Sequence, residues 1–183
     1  ILSKEIESIT KKIKRRPKML VGKPGLDGHS NGAEQIAVRA RDIGIEVVYD
    51  GIRSTPEQLV VASIEEGVHI IGLSILSGSH VHLVNVVLDL LKKNKYSHIP
   101  VIVGGIIPPT DEKKLLSKGV KAVFTPKDFK IEEILKRITT IIKDSVWAKK
   151  NSWISNKSFE WNKYFWFKCI YTYKVEKKKI SGG

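Results

Sequence analysis

The residues best suited to chemistry lie together in the segment GKPGLDGHSNG at positions 22–32. Four of the chain's 14 glycines fall within it, and this density permits unusual backbone angles and lets a bulky ligand approach the main chain closely. The segment lacks the Gly-x-Gly-x-x-Gly spacing of dinucleotide-binding loops and the Gly-Lys-Ser/Thr sequence of P-loops. Neither class of nucleotide-binding loop is therefore indicated, and the chemistry rests with Asp27 and His29.

Asp27 and His29 stand two positions apart in this loop. In extended backbone, side chains two residues apart point the same way. Asp27 could then accept a hydrogen bond from one imidazole nitrogen and leave the other as a metal ligand, while Lys23 holds Asp27 ionised. The alternative is that Asp27 caps the following helix and His29 is a polar residue near its start. The spacing alone leaves both interpretations open.

The elements that must position this loop follow from an alternation of short Val- and Ile-rich runs with amphipathic stretches between positions 17 and 143. The runs predict buried parallel strands at 18–22, 46–49, 69–74, 101–104 and 122–124. The amphipathic stretches predict helices at 32–43, 56–66, 80–93, 111–118 and 131–142. This alternation predicts an α/β fold, a doubly wound five-stranded parallel sheet flanked by helices. Such sheets bind ligands beyond the carboxyl ends of their strands, where the 22–32 loop begins.

Two terminal segments flank this predicted domain at 17–143. Residues 1–16 predict a short basic amphipathic helix that leads into the domain. Residues 144–183 carry 9 Lys and Arg against 3 Asp and Glu, together with 10 of the chain's 14 aromatic residues. Basic and aromatic residues interleaved in this way could bind single-stranded nucleic acid. An extension with no defined role is the simpler interpretation, and we expect no nucleic-acid partner.

The composition excludes several classes of protein. Apolar residues make up 42% of the chain, but no apolar run reaches the roughly 20 residues that a membrane-spanning helix needs. Residues 1–16 are charged throughout and lack the apolar stretch of a signal peptide. The single cysteine, Cys169, cannot form an internal disulfide. We therefore expect a cytoplasmic protein without a membrane partner.

A second pair of candidate metal ligands, His80 and His82, follows the third predicted strand in the sequence GSHVH. The segment begins a predicted helix, in which positions two apart diverge around the axis. We therefore expect His80 to be a rim residue and His82 to be solvated, with no metal between them.

Three motifs together resemble a known family: KPGLDGHSNG, GLSILSGSH at 72–80 and GGIIPP at 104–109. They are similar to motifs of the cobalamin-binding domain of acyl-CoA mutases, and most of all to methylmalonyl-CoA mutase in the form where this domain is a separate small subunit. The similarity runs from about Pro17 to Lys143 and includes FTPKDF at 124–129. Each motif follows its own predicted strand in the family's order. The resemblance implies a flavodoxin-like Rossmann fold, in agreement with the alternation of strands and helices.

The resemblance also implies roles for individual residues. His29 would replace the dimethylbenzimidazole base of the cofactor as the lower axial ligand of cobalt. Asp27 would be its hydrogen-bond partner and Lys23 the third member of the relay, while Gly28 and Gly32 would keep the loop tight. The displaced nucleotide tail would lie in a slot between the first helix of the domain and the sheet. The residues expected at this slot are Ser74, Leu76, Gly104, Gly105 and Thr125.

The resemblance further implies a subunit of an adenosylcobalamin-dependent isomerase, in which radical chemistry interconverts methylmalonyl-CoA and succinyl-CoA. We expect no catalytic residue in this chain and no site for the acyl-CoA, so a separate large subunit is the expected partner. Three alternatives remain: the small subunit of an isobutyryl-CoA or ethylmalonyl-CoA mutase, a corrinoid carrier for methyl transfer, and a cobalamin-binding module without mutase activity. Carriers place a helical bundle before the cobalamin domain, and the 16 residues before Pro17 are too few for one, which favours the mutase.

Overall fold

The computed structural model describes residues 1–24, 31–76, 78–127 and 130–155. The chain divides into a compact unit, Ile1–Lys149, and a second unit, Lys150–Gly183, of which residues 150–155 are described, as the end of a helix. The elements in the described residues are α1 (Leu2–Ile13), β1 (Lys18–Pro24), α2 (Asn31–Asp42), β2 (Glu46–Ser54), α3 (Pro56–Glu65), β3 (Ile70–Ser74), α4 (His80–Lys93), β4 (Val101–Gly104), α5 (Pro109–Ser117), β5 (Ala122–Phe124) and α6 (Ile131–Ser155). None of the helices in these ranges has the length and apolar character needed to cross a membrane.

The described strands form one parallel sheet in the order β2-β1-β3-β4-β5. This order confirms the predicted doubly wound, flavodoxin-like class, in which strand order reverses beside β1. Met19, Leu20 and Val21 of β1 are each at most 3% exposed, as expected for a strand covered on both faces. The reversal places the end of β1, and the loop that follows it, at the usual ligand-binding edge of such a sheet.

Helices cover both faces of the sheet. One hydrophobic cluster packs α1, α2 and α6 against one face and includes Ile9 and Ile138. A second cluster packs α3, α4 and α5 against the opposite face and includes Leu59, Val87 and Leu115. Successive side chains along a strand point to opposite faces and pack into the two clusters alternately. A buried strand is therefore apolar on both faces and forms a continuous apolar run in the sequence.

The start of α3 shows how local sequence fixes an element. The backbone N–H of Gln58 donates to the Thr55 hydroxyl oxygen at 3.2 Å, and the Thr55 N–H donates to the Gln58 side-chain oxygen at 3.0 Å. Pro56 occupies the first helical turn, where its missing N–H costs nothing. The predicted start of this helix at position 56 is confirmed.

Two predicted boundaries are wrong by five residues or more, and the others that differ do so by one to three residues. β2 extends to Ser54 rather than ending at 49, because its pairing with β1 shifts register between Val21 and Lys23 and then resumes beyond Asp50. The last helix extends to Ser155 rather than ending at 142, since no proline or glycine interrupts it over that stretch. The predicted bounds of α4, β4 and β5 are confirmed.

Candidate functional site

A cavity of about 420 Å³ opens beside the carboxyl ends of the strands, between the sheet and the helices α2 and α6. Six residues that the sequence singled out line this one cavity: Gly32, Ser74, Leu76, Gly104, Gly105 and Thr125. They come from α2, from β3 and β4 with the loops that follow them, and from the residue after β5. The fold therefore brings together residues that span 94 positions of sequence, from 32 to 125 counted inclusively.

The wall of the cavity is apolar. Met19 and Val21 contribute from β1, Ile102 from β4, and Ile134 and Ile138 from α6. The sequence analysis did not identify these residues, because a buried Ile or Met in a strand or helix reads as ordinary core. Such a wall suits a flat, apolar or aromatic group, which would gain by leaving water.

Two glycines, Gly104 and Gly105, line the cavity where the backbone after β4 approaches the backbone after β3. Gly105 has a φ of 156°, and a Cβ there would collide with the carbonyl oxygen of Ile75. The loops after β3 and β4 can therefore touch at this point only if residue 105 is glycine. At Gly104 a Cβ would lie 4.0 Å from its nearest neighbours, the carbonyl oxygens of Leu73 and Phe124. The absent side chain at Gly104 leaves space in the cavity rather than relieving a clash.

Lys23 is the last residue but one of β1, just before the loop that carries Asp27 and His29 in the sequence. Its side chain is 1% exposed, and alternation along β1 places it on the same face as Met19 and Val21. A lysine is almost never fully buried unless its ammonium is paired with a polar or charged group. Asp27, Gly28 and His29, the other predicted members of the site, lie outside the described residues.

Tyr49 of β2 lies beside this edge, with its Cα paired with that of Val21. Burial, with a smaller contribution from the negative charge of Glu34, raises the pKa of the Tyr49 phenol above its ordinary value. Among the described residues, neither the Tyr49 hydroxyl nor the buried Asp50 Oδ2 has a hydrogen-bond partner. Tyr49 therefore stays protonated in neutral solution and adds no charge beside the predicted ligand loop.

The prediction for His80 is wrong, since this side chain is buried, whereas His82 is exposed as expected. His80 Nε2 lies 3.0 Å from Asp111 Oδ2, and the ammonium of Lys114 lies 3.0 Å from Asp111 Oδ1. Hydrogen bonds from Lys114 and His80 hold the pKa of Asp111 below its ordinary value. An ionised carboxylate can only accept, so Nε2 of His80 carries the hydrogen and donates it. The pair joins α4 to α5, and the sequence alone does not show that these two helices pack together.

No group of three or more His, Cys, Asp and Glu side chains within the described ranges is placed to hold a metal ion. The histidine pair at 80 and 82 is therefore not part of such a group. The predicted cobalt ligand, His29, lies outside those ranges. The described part of the site is thus an apolar cavity and a buried lysine.

Residues 17–135 match the family model of the B12 binding domain. The chain belongs to the B12-binding domain family. Its cofactor is cobalamin, which carries an aromatic base on a flexible nucleotide tail. The apolar wall and the glycine-lined opening of the cavity fit a group of that kind.

Two curated relatives contain a similar B12-binding domain. Ethylmalonyl-CoA mutase of Methylorubrum extorquens is 51% identical over 137 residues, which are 75% of this chain and 20% of that protein. Methylmalonyl-CoA mutase of Cereibacter sphaeroides is 37% identical over 144 residues, 79% of this chain and 20% of that protein. The chain thus spans about a fifth of the length of the curated relatives it matches.

A solved structure shares the fold of this B12-binding domain. A cobalamin-binding protein from Desulfitobacterium hafniense DCB-2 superposes with a TM-score of 0.58 at 20% identity, covering 74% of this chain and 67% of that one. At this identity the likeness concerns the fold. It agrees with the doubly wound sheet described above.

Proposed function

We propose that this chain is the cobalamin-binding part of an acyl-CoA mutase and that it holds adenosylcobalamin with the cofactor's own base detached from cobalt. The observation that carries the proposal is the apolar, glycine-lined cavity at the carboxyl edge of the sheet, in a chain of the B12-binding domain family. A detached base must be accommodated elsewhere in the protein, and this cavity offers a largely apolar site for it. When bound, adenosylcobalamin supplies a cobalt–carbon bond whose homolysis starts radical rearrangements.

The residues have separate tasks in this proposal. His29 would bind cobalt in place of the cofactor's own base, and Asp27 would fix the tautomer of its ring by accepting a hydrogen bond. Lys23 supports Asp27, and its nearly complete burial at the end of β1 favours a charged partner within the structure rather than water. Gly28 and Gly32 keep the ligand loop tight.

The nucleotide tail occupies the cavity in this proposal. The chain positions the tail through the slot residues Ser74, Leu76, Gly104, Gly105 and Thr125. All five line the cavity. The tail is thereby withdrawn from water, and its base is kept away from the position that His29 takes.

The acyl-CoA site belongs to polypeptide beyond these 183 residues, and we propose no catalytic residue in this chain. The stretch that aligns with this chain makes up only 20% of each of the two relatives, whose names give an ethylmalonyl-CoA and a methylmalonyl-CoA mutase. The higher identity to the former, 51% against 37% over similar lengths, favours ethylmalonyl-CoA as the substrate of the complete enzyme. Methylmalonyl-CoA is the alternative.

Histidine ligation is tested by electron paramagnetic resonance of cob(II)alamin bound to uniformly nitrogen-15-labelled protein. The axial nitrogen splits the cobalt lines, and its isotope reports whether it belongs to the protein or to the cofactor. We expect a nitrogen-15 pattern that disappears in His29→Ala. A nitrogen-14 pattern would mean that cobalamin keeps its own base, and the proposed binding mode would be wrong.

The substrate is tested separately, on the chain assembled with the acyl-CoA-binding polypeptide. The two candidate substrates differ by one methylene, which in an apolar site is worth roughly 10- to 200-fold in kcat/KM. We expect ethylmalonyl-CoA to be preferred by a factor in that range. A reversed preference would assign the chain to a methylmalonyl-CoA mutase, and an equal one would refute the assignment to ethylmalonyl-CoA; neither result would affect the cobalamin site.

A further inference from the structure

The two loops that border the cavity on β3 and β4 are joined at their inner ends. The backbone N–H of Ile75 donates to the carbonyl oxygen of Gly104 at 2.9 Å. Gly105 lies so close to the Ile75 carbonyl that no side chain fits between them. Ser74 and Leu76, on one side of this junction, line the cavity together with Gly104 and Gly105 on the other.

A second connection lies at the outer ends of the same loops. His80 is the first residue of α4, directly after the β3 loop, and Asp111 lies in the first turn of α5, after the β4 loop. Their side chains meet at 3.0 Å, with His80 only 3% exposed. α4 and α5 cover the opposite face of the sheet from α2 and α6, so the two loops cross the carboxyl edge between the cavity and this pair.

We propose that His80 and Asp111 are positioning residues that set the separation of the two loops and thereby the width of the cavity. This inference rests on the proposed function, since the width matters for binding only if the nucleotide tail enters the cavity. Neither residue of the pair lines the cavity. The pair holds α4 and α5 together, and these helices in turn hold the loop residues that line the cavity: Leu76 before α4, and Gly104 and Gly105 before α5. The contact suits this role because a buried hydrogen bond to an ionised group is strong and directional.

The partners suit this task chemically. Asp111 is ionised and receives a second hydrogen bond from Lys114 at 3.0 Å, which leaves its other oxygen for His80. Lys114 is exposed, so its contact with Asp111 is screened by solvent, whereas the His80 contact is largely withdrawn from it. Losing the imidazole would leave a partly buried carboxylate oxygen without this donor.

The test measures cobalamin affinity in His80→Leu and His80→Gln. Leucine fills a similar volume without a donor, whereas the glutamine amide can donate to Asp111 from near the place of Nε2. We expect a rise in Kd of at least tenfold for leucine and a return to within about threefold of wild type for glutamine. The matched control is His82→Leu, two residues away and exposed, for which no change is expected.

The outcomes separate positioning from general stability. A purely structural role would lower the melting temperature without a rescue of affinity by glutamine, and this result would overturn the inference. Unchanged affinity in His80→Leu would overturn it as well. If His80→Leu does not fold, Asp111→Leu, which removes the acceptor, is compared with Glu112→Leu: weaker cobalamin binding confined to the former supports the inference, and equal binding overturns it.

A measurement without ligand distinguishes failure of this inference from failure of the proposed function. If the wild-type chain does not bind cobalamin, the proposed function fails, and amide hydrogen exchange of the ligand-free protein tests the loop connection itself. Faster exchange at residues 74–76 and 104–107 in His80→Leu than in His82→Leu supports it. Unchanged exchange in both segments overturns it.

Discussion

Gly104 offers a direct test of whether the cavity accommodates the nucleotide tail. Its backbone is not in the left-handed region, and a Cβ would find its nearest atoms, two carbonyl oxygens, at 4.0 Å. Gly104→Leu should therefore fold, with the longer side chain occupying space in the cavity that Gly104 lines. Gly104→Ala is the matched control, because its single added carbon fits at ordinary contact distance.

The size of the effect follows from what the leucine displaces. Drug-sized ligands gain about 0.3 kcal/mol per non-hydrogen atom, so the roughly 11 such atoms of dimethylbenzimidazole correspond to about 3 kcal/mol. At 1.4 kcal/mol per factor of ten, blocking the base should raise the Kd for cobalamin about a hundredfold. Alanine at the same position should change the Kd by less than about threefold, which is below 1 kcal/mol.

The assay compares cobalamin with cobinamide, which has the corrin ring but lacks the nucleotide tail. Both affinities can be followed by the absorbance change on binding, with thermal unfolding to show that Gly104→Leu keeps the fold. We expect cobalamin alone to lose affinity. Wild-type affinity for cobalamin in the leucine variant, or an equal loss for both ligands in a folded protein, would refute the placement of the tail.

Three further predictions concern stability and shape. Lys114 and His80 lower the pKa of Asp111 from its ordinary 3.8, so the ionised carboxylate stabilises the folded state. This stabilisation is present above pH 3.8 and is lost as the pH falls through the folded-state pKa. Asp111→Asn should therefore flatten the acid limb of a stability–pH curve measured by urea unfolding. Gly105→Ala should both destabilise the fold and weaken cobalamin binding, because the added Cβ would collide with the carbonyl oxygen of Ile75 in the loop after β3. Calorimetry and titration measure the two effects, and an unchanged melting temperature would contradict the close approach of the two backbones. Leu59→Ala, at a fully buried position on the face away from the cavity, should cost about 2–5 kcal/mol of stability while the folded fraction keeps its cobalamin affinity; a selective loss of affinity would show that this face is coupled to the site.

Most of the fold could be predicted because each strand carries its own signal. A parallel strand buried on both faces is a short Val- and Ile-rich run, and β4 and β5 have the predicted bounds. β2 was predicted too short because Asp50 and Gly51 look like a turn, whereas a register shift against β1 lets pairing continue past them. Such a shift depends on the neighbouring strand, which local sequence does not contain.

The candidate site was predictable where glycine and polar residues stand in motifs, and not where ordinary apolar residues form its wall. Ser74 and Gly104 line the cavity as expected from their motifs, whereas Met19 and Ile138 reach it only because β1 and α6 pack side by side with α2. The hydrogen-bond partner of His80 could not be predicted from the sequence either. Asp111 lies 31 residues away, and the contact exists only through the packing of two helices.

The helix α1 precedes the stretch that matches the B12-binding domain family, yet Ile6 and Ile9 are at most 2% exposed within the cluster that also contains Ile138. At its far end the ammonium of Lys12 lies 3.3 Å from the centre of the Trp147 ring, an attraction worth roughly 0.5–1 kcal/mol at an exposed site. The unit that folds is therefore longer at both ends than the stretch that matches the family model. A genetic exchange that cut the chain just before residue 17 would transfer the whole stretch that matches the B12-binding domain and still uncover the apolar surface beneath α1. Recombination among B12-binding domains should for that reason tolerate breakpoints ahead of α1 far better than breakpoints behind it.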